Sequence, residues 1–365
     1  MRIVITGATG NVGSAVVRAL EADDRVTEII GLARRPPSLQ PGSHHAKTRY
    51  EGADVVTGAL APLFRGADAV IHLAWAIQPA RDRSRTRAVN VEGTRRVLQA
   101  VAAARVPAVV HASSVGAYSP HPGDAPVDES FPTGGIRSSF YSADKADAER
   151  VLSSWEAFHP QVRTVRLRPG LIFQRSAASE IRRLFLGPFF PGALVRPGLI
   201  PVLPSVPGVR FQAVHADDVA QAYRRAVLDA DARGAYNIAA PPVLDLDAVA
   251  ALLGARTVRV PFRAVRLTAE VAWRARLQPT PPGWLDIATQ APLLDCTRAL
   301  RELGWTARRT GTDALSELLD GLRDGAGAPT PPLAQDAGGP LRIGELLTGV
   351  GARGPRIRRR VGASG

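Results

Sequence analysis

The sequence predicts an α/β fold: a doubly wound parallel sheet with helices on both faces, followed by a smaller, mixed C-terminal lobe. Three observations carry this. Short apolar runs alternate with stretches of helical periodicity through the first half of the chain. The first run ends in a glycine-rich turn that opens directly into a helix. Beyond about residue 174 the alternation stops, and proline and glycine become frequent.

In order, Ile3-Val4-Ile5 is the first strand, and Val12, Ala15, Val16, Ala19 and Leu20 repeat at helical spacing behind it. Ile29-Ile30-Gly31-Leu32 is the second strand. "AVIHLA" (69–74) and "AVVHAS" (108–113) read as buried strands separated by a helix over about 86–104, and "VRTVRLRPG" (162–170) as another. Residues 187–208 are too rich in proline and glycine for long elements. "VHADDVAQAYRRAV" (214–227) reads as a helix capped by Asp217 or Asp218. Residues 241–323 form a mostly helical lobe. From about 325 to 365 the chain reads as a flexible basic tail, with one apolar interruption, "LRIGELL" (341–347), able to dock.

The 365 residues suffice for a large core, and the 45% hydrophobic and 22% charged contents are ordinary for a globular protein. The net charge of +13 is high, but no cluster of lysine interleaved with aromatics marks a nucleic-acid partner. Cys296 is the single cysteine and reads as a packed side chain in a reducing compartment. With no signal-like N-terminus, and with "LFLGPFFPGALV" (184–195) too short to span a bilayer, a cytoplasmic protein without a membrane partner is expected. His44-His45 lacks companion ligands, so no metal is expected. His72 and His111 fall in apolar strand patterns and read as packed.

"TGATGNVG" (6–13) places Gly7, Gly10 and Gly13 between strand and helix. Backbone that passes close to a pyrophosphate has no room for a Cβ, and the helix N-terminus behind it offers free N–H groups and a positive dipole end. The turn predicts dinucleotide binding. A second stretch, "YSADK" (141–145), sets Tyr141 and Lys145 four apart, on one helical face. Of 46 basic residues only Lys47 and Lys145 are lysine. An ammonium near a phenol favours phenolate and lowers its pKa, which suits a general acid/base.

Together with "SSVGAY" (113–118), "NVEGT" (90–94), "RPGLIF" (168–173), "VHADDVA" (214–220), "YNIA" (236–239) and "LGWTAR" (303–308), these motifs resemble the extended short-chain dehydrogenases/reductases, the NAD-dependent epimerase/dehydratase group. The resemblance covers about residues 1–320. It implies a Rossmann-type cofactor domain over 1–175 plus about 210–240, and a substrate lobe over about 176–210 and 241–324. It implies a catalytic Tyr141, with Lys145 also binding the nicotinamide ribose. Ser114, or else Ser113, would hold the substrate oxygen. Asn90 would support a proton relay or a helix bend, with a helix cap as its plainer role. The cofactor contacts it carries over are Gly7, Thr9, Gly10, Asn11, Val12, Gly13, Asp54, Val55, Leu73, Ala74, Tyr141, Lys145 and Pro169.

NAD enzymes of this fold place an acid at the end of the second strand, on the ribose 2′-OH. Here that position is Ala33, followed by Arg34 and Arg35, which suit a 2′-phosphate. NADP(H) is therefore favoured, with NAD(H) the alternative if both arginines are only solvated. Sugar-nucleotide members carry an arginine where this chain has Phe211, with Arg210 one place earlier. That departure speaks against a nucleotide sugar, unless Arg182, Arg183 or Arg196 substitutes. Trp75 is expected at the pocket mouth. The expected activity is NAD(P)-dependent oxidoreduction of a small-molecule carbonyl or alcohol. The alternatives are an epimerase or dehydratase that retains its cofactor, and a non-catalytic nucleotide sensor. A homodimer is left open.

Overall fold

The structure, a computed structural model, describes residues 1–37, 46–77, 81–187, 190–337 and 345. The first half runs β1 (Arg2–Thr6), α1 (Asn11–Glu21), β2 (Glu28–Ala33), β3 (Thr48–Gly52), α2 (Ala61–Phe64), β4 (Ala69–His72), α3 (Arg83–Arg87), a π-helical turn (Ala88–Glu92), α4 (Gly93–Ala103), β5 (Ala108–Ala112), β6 (Pro126–Val127), α5 (Phe140–Phe158) and β7 (Arg163–Pro169). The second half runs β8 (Leu171–Phe173), α6 (Ala178–Ile181), β9 (Val202–Ser205), β10 (Arg210–Phe211), β11 (Ala213–His215), α7 (Ala216–Leu228), β12 (Gly234–Ile238), β13 (Leu244–Asp245), α8 (Leu246–Leu253), β14 (Arg256–Arg259), α9 (Phe262–Arg274), α10 (Gly283–Gln290), β15 (Leu293–Leu294), α11 (Thr297–Leu303) and α12 (Gly311–Asp324).

Seven strands form one parallel sheet in the order β12-β7-β5-β4-β1-β2-β3. Side chains alternate across a strand, so β1 serves both faces. Ile3 and Ile5 pack with Val16 and Leu20 of α1 and with Val219 and Tyr223 of α7. Val4 packs with Val97 and Val101 of α4 and with Leu152 of α5. Each fully buried side chain of this kind contributes about 1.5–3 kcal/mol. Surface ion pairs such as Arg95–Glu92 and Arg274–Glu270 contribute about 0–1 kcal/mol each, so the core and not the arginine-rich surface decides the fold. The winding reverses between β1 and β4, and a crevice opens at the carboxyl ends of those strands.

The second lobe is built from short pieces. The pair β9–β14 packs with α8 and α12 around Leu253, Leu318 and Leu322, and the pair β10–β13 packs around Leu244 and Leu315. α7 is capped by His215, whose Nδ1 accepts from the Asp217 amide; neither Asp217 nor Asp218 is the cap residue. Asp218 is instead buried and accepts from the Arg309 amide, while its carbonyl accepts from Trp305 Nε1.

Packing continues past residue 325, which corrects the expectation of a free tail from that point. Leu333 is fully buried, the Pro332 carbonyl accepts from Arg183, and Glu345 is buried in a two-bond ion pair with Arg182 at 2.7 and 2.9 Å. A buried guanidinium needs a carboxylate, and the chain supplies one from its C-terminal segment. Glu345→Gln is expected to cost about 1.5–3 kcal/mol, read as a fall in Tm of about 3–6 °C by circular dichroism. The remainder of the predicted tail lies outside the described residues.

Candidate active site

The glycine turn sits at the crevice. Gly7 has φ +75°, and a Cβ there would come within 2.7 Å of the Ala74 amide nitrogen and 2.8 Å of the Leu73 carbonyl carbon. A Cβ at Gly13 would lie 2.2 Å from the Gly7 carbonyl oxygen. Both glycines are therefore required by the approach of β4's exit and of α1 to the turn. Gly10 differs: a Cβ there would meet nothing nearer than 3.6 Å, so the space above it is open. Gly10 is also the N-cap of α1, with no side-chain cap, which leaves the first-turn amides of Asn11, Val12 and Gly13 turned to that space. An open, uncapped helix start over a glycine cradle fits an anionic dinucleotide.

Around this turn the other expected contacts are gathered by the parallel register. Thr6 aligns with Leu32, so Arg34 and Arg35 emerge beside the glycine turn, both exposed. Asp54 Oδ1 accepts from the Val56 amide at 2.8 Å, and Arg96 donates to the carbonyls of Val55 and Gly58, pinning the loop after β3. Pro169 closes β7, two strands away from β4. Its loop returns to the turn through Asn11, which donates to the Ile172 carbonyl and accepts from Gln174. Thr9 is buried within the turn.

The candidate tyrosine, lysine and serine stand near the ends of β4 and β5. Tyr141 lies in the first turn of α5, whose start is fixed by Ser142: its hydroxyl donates to the Gly116 carbonyl at 2.5 Å and accepts from the Ile136 amide at 2.6 Å. A Cβ at Gly116 would come within 2.9 Å of Tyr141 Cε1, so glycine seats the ring. Ser114 lies beside the Tyr141 phenol and acts to lower its pKa, while its Oγ accepts from the Gly116 amide at 3.0 Å. Ser113 donates to Glu149 at 2.5 Å.

Lys145 is buried. Its Nζ donates to the Ala112 carbonyl at 2.7 Å and lies 3.5 Å from the centroid of the Trp75 ring. Burial pushes its pKa down to about 7, against the pull of Glu149 and Asp144. The expected depression of Tyr141 by this ammonium is not what the structure shows. Burial pushes the Tyr141 phenol up to about 12, and Ser114 only partly offsets that. The reason is placement: the amine is drawn to Ala112 and Trp75, 5.8 Å from the Tyr141 ring centroid.

Asn90 occupies the π-helical turn between α3 and α4. Its side chain holds Ala76 through both the amide nitrogen, at 2.7 Å, and the carbonyl, at 3.0 Å, and donates to Asp144 at 3.1 Å. It is a clamp between the β4 exit and α5, set in a helix bend, and not a cap. His72 extends this clamp. Thr94 Oγ1 donates to the Asn90 carbonyl, so it accepts from His72 Nε2 at 3.0 Å; Nδ1 then accepts from Thr6 at 2.7 Å. Burial, with Lys145 adding to it, pushes the imidazole down to about 3, so it is neutral and packed.

Three features were not found from the sequence. Trp284 of α10 packs on Tyr141 with ring centroids 4.7 Å apart and planes at 33°, and Phe185 meets Trp284 edge-on at 4.9 Å. Gly283 makes this approach feasible, since a Cβ there would lie 2.5 Å from the Ser138 carbonyl oxygen. Behind the serines lies a buried charge network, in which Glu149 binds Arg166 and Arg168, and Arg168 donates to Tyr118, whose hydroxyl donates to Asn237 at 2.6 Å. The only sequence signal for Trp284 is its place just after the "PPG" turn, which marks a helix start but not what the helix faces.

The profile of the NAD dependent epimerase/dehydratase family matches residues 3–239. Among curated proteins, an uncharacterised protein of Mycobacterium tuberculosis is 27% identical over 326 residues, covering 88% of this chain but 30% of that protein. The chain thus spans about a third of the length of the first such relatives. A ketoreductase of Stigmatella aurantiaca, named for a 4-hydroxy-2-methyl-3-oxo-4-farnesyl-3,4-dihydroquinoline-1-oxide, is 26% identical over 354 residues, covering 90% of this chain and 98% of that one. Among solved structures, the dTDP-glucose 4,6-dehydratase of Streptomyces venezuelae, solved with NAD bound, superposes with a TM-score of 0.65 at 21% identity, covering 89% of this chain and 97% of that one. A short-chain dehydrogenase/reductase superfamily protein of Agrobacterium tumefaciens with bound NAD gives 0.64 at 24%, covering 89% and 98%. At these identities the structures share the fold, while the profile spans the glycine turn, the serine strand and the tyrosine helix. The chain therefore belongs to the NAD dependent epimerase/dehydratase family.

Proposed function

We propose that the chain is an oxidoreductase acting between a nicotinamide cofactor, NADP(H) by preference, and a carbonyl or secondary alcohol of a small molecule. One observation carries this: Ser114, Tyr141 and Lys145 meet at the carboxyl ends of the strands, beside a glycine cradle with an uncapped helix start. When bound, the nicotinamide supplies or accepts the hydride. The turn from Gly7 to Gly13, with Thr9, Asn11 and Val12, would hold the pyrophosphate. Asp54 and Val55 would border the adenine, Leu73, Ala74 and Pro169 would line the crevice, and Lys145 with Tyr141 would hold the nicotinamide ribose.

The chain's own groups then handle the proton. Ser114 stands beside the phenol and would share the substrate oxygen with it. Tyr141 with its raised pKa is a phenol at neutral pH, ready to donate to an oxygen that gains negative charge during reduction. Lys145, near neutrality, changes charge within the working pH range, and its ammonium form favours the phenolate that donation leaves behind. Asn90 and His72 keep the β4 exit and α5 in place around this pair.

The experiment pairs two measurements on purified protein: NADPH absorbance with a panel of aldehydes and ketones, and mass analysis of any nucleotide released on denaturation. Stoichiometric NADPH loss supports the reading, as does the similarity to a ketoreductase along nearly its whole length. Tightly held NAD⁺ at near-unit occupancy, with no net oxidation of NADPH, would establish the second reading instead. That reading, an epimerase or dehydratase that regenerates its own cofactor, draws on family membership and on the likeness to a dehydratase with NAD bound.

Arg34 and Arg35 are proposed to set the cofactor preference, because they are exposed where an acid would otherwise meet the ribose. Replacing both by alanine should weaken NADPH binding by about 1.5–3 kcal/mol and leave NADH nearly unchanged, as titrated by fluorescence. A parent protein that binds NADH more tightly than NADPH overturns the assignment.

A further inference from the structure

Aromatic side chains are few in this chain: 5 Trp, 5 Tyr and 10 Phe among 365 residues. Three of them nevertheless converge on Tyr141. Trp284 lies against the phenol face at 4.7 Å, Trp75 stands edge-on to it at 6.2 Å, and Phe185 backs Trp284 at 4.9 Å. The arrangement is built and not incidental. Gly283 exists where any Cβ would strike the Ser138 carbonyl, and Thr280 donates to the Phe185 carbonyl, tying the approach to α10 to the turn that carries Phe185. Trp75 Nε1 is buried and has no hydrogen-bond partner among the described residues. A buried indole N–H without an acceptor is a cost that a bound molecule can relieve.

Two of the three arginines that could substitute at a diphosphate are engaged elsewhere, while Arg196 is exposed. Arg182 is bound to Glu345 and Arg183 to the Pro332 carbonyl. Arg210, beside Phe211, donates to the carbonyls of His121 and Gly123. Arg81 donates to the Trp273 carbonyl and lies over the Trp273 ring, 4.7 Å from its centroid. To reach Tyr141, a substrate carbonyl must displace or slide past the Trp284 indole, and its body then rests against that indole face. Such faces favour flat, polarisable or apolar surface over a hydrated, doubly charged diphosphate.

We infer that the space over Tyr141 takes a carbonyl or carbinol borne on a flat aromatic or comparably apolar ring system, not a nucleotide sugar, and that Trp284 stacks on that ring. The inference rests on Tyr141 being the reacting group, and its test is made on binding so that the two can fail separately. The protein used is full-length Tyr141→Phe saturated with NADP⁺, with 2-acetonaphthone as the flat aryl ketone and UDP-glucose as the nucleotide sugar, each titrated by isothermal calorimetry. The aryl ketone should bind and UDP-glucose should bind at least tenfold more weakly. Adding Trp284→Ala should weaken the ketone roughly 3- to 10-fold, in keeping with the loss of one aromatic pair, while Trp284→Phe stays within about threefold. Circular dichroism checks that each variant is folded, and Trp284→Phe serves if the alanine variant is not. Tighter binding of UDP-glucose, binding of neither probe, or a ketone affinity indifferent to Trp284→Ala overturns the inference. Trp284-dependent ketone binding with no NADPH consumption by the wild type on any carbonyl leaves the inference standing and removes the proposed redox activity instead.

Discussion

Tyr141→Phe is expected to retain nucleotide binding and to lose about 100-fold or more in turnover on whichever substrate the wild type accepts. The substitution removes one oxygen and leaves the ring that Trp284 and Gly116 hold in place. The fold and the glycine cradle should therefore be unchanged. What is lost is the hydroxyl beside Ser114 that is proposed to exchange a proton at the crevice. The measurement is kcat beside a cofactor titration. A turnover within threefold of wild type would falsify the assignment of Tyr141 as acid/base. A loss of cofactor binding instead would mean that the phenol acts in binding the ribose.

The largest expected effect on stability is at Glu149. Burial alone would raise its pKa, but hydrogen bonds and charge from Arg168 and Arg166, with the Ser113 hydroxyl, hold it down to about 2. Glu149→Gln keeps the shape and removes the charge, which leaves two buried guanidiniums short of their carboxylate. Arg166 keeps Glu156; Arg168 has no second carboxylate partner among the described residues. Breaking a buried pair from one side costs about 3–5 kcal/mol. At roughly 2 °C per kcal/mol for a chain of this size, Tm should fall by about 6–10 °C.

The pH dependence gives a second check. The folded pKa of Glu149 lies below its unfolded value of 4.5, so the folded state binds this proton more weakly than the unfolded state does. Its contribution is complete above about pH 5 and is lost as pH falls through 4.5 toward 2. The wild type should therefore lose stability over that window faster than Glu149→Gln in urea titrations. Parallel curves would show that the network does not depend on the carboxylate charge.

Legibility in the sequence followed the range of the interactions. The glycine turn, the strand and helix around it and the pairing of Tyr141 with Lys145 were readable because each depends on local spacing. A positive φ at Gly7 and an i,i+4 face on α5 are properties of a few consecutive residues. Ser114 was selected by its distance from Tyr118, and the structure sets it beside the Tyr141 phenol. The sense of the Tyr141 pKa was not readable. Spacing predicts that a lysine shares the tyrosine's face, but burial depth and the competing Ala112 carbonyl decide where its charge sits.

By itself, the sequence determined the alternating parallel architecture, the glycine turn and the placing of Tyr141 and Lys145 on one helical face, because these arise from hydrophobic period, glycine sterics and short-range spacing. Only the tertiary structure decided what surrounds that pair. Trp284 reaches Tyr141 from 143 positions away in the chain, Phe185 backs Trp284 from 99 positions away, and Glu345 neutralises Arg182 across 163 positions. Contacts at such separations are selected by how the two lobes close on each other, and no local period records them. The same closure assigns the arginines to carbonyls and carboxylates within the chain, which leaves aromatic faces over the tyrosine.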